Sequence, residues 1–251
     1  MEIEFLSICL GLFLISILYS SVGHGGASGY LAILSLSVYG SMGNGWLKQY
    51  AWCLNLVVAA IAFYHYYKAG YFNKKLSLPF IIGSIPFAIL GGFLRIDGVI
   101  YDSLLSITLI WAAYKLYQTK KDDLEIINEI PNLKISIPTG AVIGFASGII
   151  GVGGGIFLSP ILLLKKWADP KTVAATSALF IWVNSFGGLF GAGISNQLNL
   201  DLKILLPFIL VVLFGGYLGS KYGSKLNNST IKLLLIIVLL IAALKRILEY
   251  L

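Results

Sequence analysis

Charge is what this sequence holds least of. Only 12% of its 251 residues are charged, against 58% hydrophobic, and the mean hydropathy is +0.88. That balance excludes a soluble domain of ordinary composition. Carboxylates are scarcer than cations, 11 against 18, and they avoid helix centres. Glu2, Glu4, Asp97, Asp122, Asp123, Glu125, Glu129, Asp169, Asp201 and Glu249 fall in loops or at ends, and Asp102 falls near a helix start. Cation carriers and proton relays keep an acidic group at membrane depth. A cation held by carboxylate is therefore disfavoured, whereas an anion would meet no internal repulsion.

Other absences narrow the chemistry. The two cysteines, Cys9 and Cys53, lie in apolar runs and form neither a disulfide framework nor a thiolate metal site. His24 and His65 are too few for a two-histidine metal motif, so no metal is expected. There is no Gly-x-x-x-x-Gly-Lys-[Ser/Thr] loop to consume ATP. Neither glycine cluster fits the dinucleotide pattern, because Ser28 and Ile156 stand at the third glycine position. No cofactor follows. Ser21 or Ser28 with His24 lacks a positioned acid, so the chain does not read as an enzyme. The net charge of +7 comes with no nucleic-acid fold signature and reads as the loop bias of a membrane protein.

What fills the chain instead is uncharged sequence, such as residues 76–94, 135–164, 172–200 and 204–220. About 20 apolar residues cross a bilayer, so the fold class is an all-α, multi-pass integral membrane protein. Ten apolar elements are expected, near residues 5–21, 28–40, 47–67, 76–94, 99–118, 135–150, 156–165, 171–192, 203–221 and 230–248. The second and seventh are too short to span ~30 Å comfortably and are expected as re-entrant halves. The acidic start lacks the basic segment of a cleavable signal, so the first helix is expected to be retained.

Two stretches interrupt the apolar runs. Gly151, Gly153, Gly154 and Gly155 place four glycines in five positions, and Gly23, Gly25, Gly26 and Gly29 cluster likewise in the first half. Each glycine costs a helix about 1 kcal/mol, and non-helical backbone survives in lipid only where protein or a cavity satisfies it. A close-packing glycine face is the plainer alternative. The breaks are repeat-related: an offset of 128 pairs Gly23 with Gly151, Gly25 with Gly153, Pro79 with Pro207 and Gly91 with Gly219, and an offset of 129 pairs Asn55 with Asn184. Corresponding interrupted segments in two halves point to a transporter's substrate site. The expected organisation is a first repeat over residues 1–119, a linker over 120–134 and a second repeat over 135–251, together one transport domain.

Orientation follows from loop lysines and arginines. With each broken pair returning to its starting face, one face receives Lys68, Lys74, Lys75, Lys120, Lys121, Lys134, Lys165, Lys166, Lys171, Lys221 and Lys225. The other receives Lys48, Arg95, Lys203, Lys245 and Arg246. Eleven against five makes the first face and the linker cytoplasmic, and puts both termini outside, in a plasma or inner membrane. If only the short element dips, the split is nine to seven and undecided. Matching loops trade their positive charge between the halves, as inverted-topology repeats require.

The run from Gly148 through Gly151-Val152-Gly153-Gly154-Gly155 to Ser159-Pro160-Ile161-Leu162 resembles the second-half motif of the TauE/SafE family. Ala175-Thr176-Ser177 and Asn184 are similar to the helix after that motif, and Gly23-His24-Gly25-Gly26-Ala27-Ser28 is a variant of it. The resemblance covers residues 5–247 and implies a two-half membrane exporter of sulfite or a related small organosulfur or organic anion.

A small oxyanion needs donors where water is scarce, and helix N-termini supply them through free N–H groups and the macrodipole. Two such termini near Ser28 and Ile156 would face the breaks. The candidate substrate-binding residues are Gly23, His24, Gly25, Gly26, Ser28, Gln49, Asn55, Gly151, Gly153, Gly154, Gly155, Thr176, Ser177 and Asn184. His24 is also the candidate carrier of a coupling proton; a neutral histidine bonded to a nearby carbonyl is the alternative. Asn55 and Asn184 equally suit interhelical hydrogen bonds, and Lys48 suits snorkelling to the surface. His65 suits an interfacial aromatic belt. The expected function is secondary transport of a small anion by alternating access. The alternatives are a non-transporting membrane subunit or enzyme, and a carrier of a neutral or cationic solute.

Overall fold

The computed structural model describes residues 2–94 and 129–248, together with residues 110, 113, 114, 117 and 118. The expected fifth element, Arg95 and most of the linker lie outside the described residues. Nine α-helices carry the described chain: α1 (Glu2–Ser20), α2 (Ala27–Ser35), α3 (Asn44–Lys68), α4 (Lys74–Phe93), α5 (Leu133–Ile150), α6 (Gly155–Leu164), α7 (Pro170–Ile194), α8 (Leu202–Gly223) and α9 (Asn228–Leu248). No strand occurs among the described residues. Six of the helices, α1, α3, α4, α5, α7 and α8, are long and apolar enough to cross a membrane. With 9 and 10 residues, α2 and α6 rise only about 14–15 Å.

The helix starts follow local chemistry. Asn73, Asn132, Asp169 and Asp201 each accept a hydrogen bond from a backbone N–H of the first turn that follows, offsetting the unpaired donors there. Pro170, whose missing N–H removes one such donor, opens α7. The second expected element stops early: α2 ends at Ser35, and residues Val38–Met42 form a 3-10 turn that Ser37 caps. A Cβ at Gly40 would lie 2.3 Å from Ser35 O, so the chain doubles back where a helix to residue 40 was expected. Cys9 and Cys53 are free thiols.

Helices pack here on glycine, which suits lipid, where no hydrophobic drive joins one helix to another. Gly140, Gly144 and Gly148 of α5 lie against the carbonyls of Phe80, Ser84 and Ala88 of α4; a Cβ on any of them would come within 2.1–2.4 Å of oxygen. Gly215, Gly219 and Gly223 of α8 do the same against Ser16 Oγ and the carbonyls of Ile17 and Ser21. The first helix of each half thus packs on the fourth described helix of the other. Pro79 and Pro207 each hold the sixth position of α4 and α8.

Chain direction follows from these contacts. Phe5 stacks on Phe208 at 5.6 Å while Ser21 meets Gly223, so α1 and α8 run parallel. After its break the first half turns back: Tyr39, beyond α2, stacks on Trp46 at 5.3 Å and meets Phe208 edge-on at 5.9 Å, at the end where α1 began. In the second half, Trp167 beyond α6 reaches Phe80 at 6.3 Å, near the starts of α4 and α5. The α1–α2 and α5–α6 pairs therefore enter the molecule from opposite ends. The lysines flanking the α3–α4 turn, α5, α6, α7 and the end of α8 gather at one end, whereas Lys48 and Lys203 sit at the other. His65 joins the first group, its Nδ1 2.8 Å from Ser220 Oγ and its ring between those of Tyr64 and Tyr217.

Candidate functional site: two helix breaks around one asparagine

Both breaks share a construction. Gly26 and Gly154 hold the N-cap positions of α2 and α6 in the left-handed region, with φ of +102° and +82°. A side chain is strained there, and glycine lets a new helix start at a sharp angle to the last. Neither short helix has a side-chain cap at that position. Both begin one residue before the expected Ser28 and Ile156.

The breaks meet at Asn55, in the middle of α3. Its Oδ1 accepts from the Ala27 N–H at 3.0 Å, and its Nδ2 donates to Ser185 Oγ on α7 at 3.2 Å. A Cβ on Gly25 would fall 2.2 Å from that Oδ1, and one on Gly153 would fall 2.8 Å from that Nδ2. One fully buried amide thus separates a glycine of the first break from a glycine of the second. A second bridge is His24, whose ring edge lies 3.5 Å from where a Cβ on Gly155 would stand. Its Nδ1 lies 3.0 Å from Val22 O, a group that only accepts, so Nδ1 carries a proton. Its Nε2 lies 3.3 Å from Ser159 Oγ on α6, which in turn lies 2.7 Å from Ser177 Oγ on α7. The bond to a nearby carbonyl is thus present, and it leaves Nε2 turned toward Ser159.

The peptide nitrogens around this junction are the main chemical resource. Among the described residues, the N–H groups of Gly25, Gly26, Ser28 and Gly29 find no protein acceptor, and neither do those of Gly153, Gly154, Gly155 and Ile156. All eight belong to buried residues. Buried amides are paired almost without exception, and leaving one unpaired costs about 1–3 kcal/mol. The two helix N-termini, neither capped by its own N-cap residue, also add their partial positive charges. Tyr30 contributes one more donor: its fully buried hydroxyl has no partner, and a Cβ on Gly26 would lie 2.7 Å from it.

The remaining expected residues divide. Ser177 joins the His24 chain. Gly23 packs on Ala174 O and Gly151 on the Lys48 stem, so each anchors the start of its break rather than the junction. Ser28 is engaged elsewhere, with Tyr19 Oη at 2.9 Å, and Thr176 bonds Ser77 of α4 at 2.8 Å. Gln49 lies well away and ties α3 to the α7–α8 turn, donating to Gln197 O and accepting from Asn199 N, both at 2.7 Å. Asn184 donates to Phe180 O within its own helix at 2.7 Å, leaving its buried Oδ1 without a partner. Sequence reasoning missed Tyr30, Ser159 and Ser185. Ser159 falls one turn after Gly155 and Tyr30 one turn after Gly26, a helical spacing that returns each side chain to its own break. Lys48 is half-buried and lines a cavity of about 310 Å³ with Gln49, Trp52, Gly148 and Gln197.

Comparison with known proteins gives the chain a family. The family described as sulfite exporter TauE/SafE matches residues 8–246. A probable membrane transporter of Sinorhizobium fredii is 35% identical over 250 residues, spanning 98% of this chain and 99% of its own. Probable membrane transporters of Methanocaldococcus jannaschii and Bacillus subtilis are each 28% identical, over 70% and 73% of this chain and 68% and 74% of theirs. No solved structure matches. The chain belongs to the TauE/SafE sulfite exporter family, and it is a multi-pass membrane transporter rather than an enzyme.

Proposed function

We propose that this transporter moves a small anion, sulfite or a related organosulfur or organic anion, by alternating access around the junction at Asn55. The observation that carries the reading is the set of eight buried N–H groups, four from each break, that no protein group accepts. Such donors fit an oxyanion, whose several acceptor atoms can be shared among peptide nitrogens. They do not fit a cation. The family description names sulfite, a small oxyanion of the kind such donors suit.

The two halves act, in this reading, as inverted repeats. It is supported by the opposed entry of the two broken pairs, the matched Pro79 and Pro207, and the reciprocal packing of α1 on α8 and α5 on α4. The smooth glycine faces at those contacts let one half rock on the other while the junction stays near the pivot. His24 supplies the coupling proton. With Nδ1–H held by Val22, Nε2 accepts from the Ser159 hydroxyl; protonation reverses that bond, and Ser159 then donates to Ser177. The added positive charge beside Gly155 favours anion binding. The lysine-rich end faces the cytoplasm, with both termini outside.

Purified protein in liposomes tests the reading. Flux of radiolabelled sulfite with no other protein present, competed by thiosulfate or acetate, is the expected result. A tight reconstituted preparation that carries none of these anions sinks it.

A further inference from the structure

Away from the junction, α3 and α8 border a groove on the lateral surface of the molecule. The helices touch along their length: a Cβ on Gly216 would lie 3.1 Å from Val58, and one turn on, His65 bonds Ser220. Those contacts make the two helices parallel. Beside them, Val57 and Ile61 of α3 are half-buried, and Leu210 and Leu213 of α8 are exposed. Helical spacing continues the first stripe to Tyr64 and Lys68 and the second to Tyr217 and Lys221. Each stripe rises about 16 Å, roughly the depth of one leaflet's hydrocarbon. At the lysine-rich end the groove closes in an arc of rings, with Tyr64 5.4 Å and Tyr217 5.1 Å from His65. Ser220 Oγ donates to Gly216 O at 2.6 Å and so accepts from His65 Nδ1, which fixes the middle ring. Lys68 Nζ lies 5.7 Å from the centre of the Tyr64 ring. Lys221 Nζ lies 5.1 Å from that of Tyr217 and donates to its hydroxyl at 3.3 Å. A lysine at a helix end suits the macrodipole and usually extends into water. Neither tendency accounts for lysines of two helices folded over adjoining rings. Neither α3 nor α8 contains an acidic residue.

We propose that this groove binds one anionic phospholipid from the leaflet at the lysine-rich end. The phosphate sits between Lys68 and Lys221, and an acyl chain follows the apolar stripes below them. The Tyr217 hydroxyl accepts from Lys221 and keeps its own proton to donate to the phosphate. Net negative charge selects the headgroup, because a zwitterionic lipid gains no comparable attraction. A free phosphate ester would meet the ammoniums but leave the apolar stripes bare, so the length of the groove assigns a lipid. Because α3 belongs to the first half and α8 to the second, the bound lipid bridges the halves. None of this depends on which solute is carried.

Titration of the full chain in a non-ionic detergent with pyrene-labelled phosphatidylglycerol or phosphatidylcholine tests the proposal. Wild type is expected to prefer phosphatidylglycerol. Lys68→Met and Lys221→Met keep the stems and remove one charge each; each should weaken phosphatidylglycerol binding about fivefold, and the pair about 25-fold. Phosphatidylcholine binding should stay as it is, and arginine at both positions should restore the preference. Ile61→Trp fills the apolar stripe, leaves both ammoniums, and should weaken binding too. Lys203→Met, at the opposite end, should match the wild type. Thermal unfolding separates binding from folding: without lipid the double variant should melt close to the wild type, whereas phosphatidylglycerol should raise the Tm of the wild type alone. Equal affinity of the wild type for the two lipids, or wild-type phosphatidylglycerol affinity in the double variant, would overturn the site. Displacement of the lipid by an equal concentration of glycerol 3-phosphate would overturn the acyl seat and leave only a phosphate site.

Discussion

At the scale of single residues, Asn55 is the position on which most depends. Its carbonyl oxygen caps α2 and its amide reaches α7 across the second break. Asn55→Ala removes the only protein acceptor of the Ala27 N–H and should destabilise by about 1–3 kcal/mol, read as a lower Tm in detergent, with sulfite flux abolished. Gly25→Ala tests the same contact from the other side. Its methyl would sit 2.2 Å from Asn55 Oδ1, so the amide must turn away, and flux should fall even where the protein still folds. His24 gives a pH-dependent prediction. If its protonation accompanies anion binding, wild-type transport declines as pH rises, and His24→Gln flattens that profile; an unchanged profile would discard the coupling role. Asn55 was legible as a candidate because its offset matched that of Asn184, but which of the two held the junction was not. Asn184 sits on the same kind of helix one repeat later, yet it bonds its own helix at Phe180. Local sequence has no means of separating those outcomes.

At the scale of elements, two properties decide the architecture: where helices break and how closely they approach. The breaks were readable because glycine clusters inside uncharged runs oppose helix continuation so strongly. The close approaches were not, because a glycine facing a neighbouring carbonyl and one facing open space look alike in sequence. Gly144 and Gly45 make the contrast. A Cβ at Gly144 meets Ser84 O at 2.4 Å, whereas nothing lies within 4 Å at Gly45. Gly144→Ala should therefore push α5 off α4 and cost about 1–3 kcal/mol. Gly45→Ala, in a helix with room to spare, should gain up to ~1 kcal/mol. Thermal unfolding of the two variants side by side checks the pair; equal shifts would contradict the assigned packing.

At the scale of the whole molecule, the interleaving of the halves matters most. With α1 packed on α8 and α5 on α4, neither half buries its own glycine faces, and separate expression of residues 1–119 or 135–251 should yield no stable protein in detergent. Orientation is testable at the same scale. After replacement of Cys9 and Cys53, single cysteines at Lys68, Lys165 and Lys225 should be labelled by membrane-impermeant maleimide only after cell lysis, and one at Lys203 in intact cells. The opposite pattern would reverse the membrane orientation.

Composition and punctuation along the chain determined the membrane class, the long apolar helices and the location of both breaks, because these depend on transfer to lipid and on backbone entropy, which are local quantities. Tertiary structure alone decided which asparagine stands between the breaks, that His24 bonds Val22 and Ser159, that Ser28 and Thr176 are committed elsewhere, and that Lys48 lines a cavity. Those outcomes depend on which faces of α3, α6 and α7 meet. That choice is set largely by contacts between residues far apart in the chain, such as Ala27 with Asn55 and His24 with Ser159, over which sequence spacing carries no geometric information.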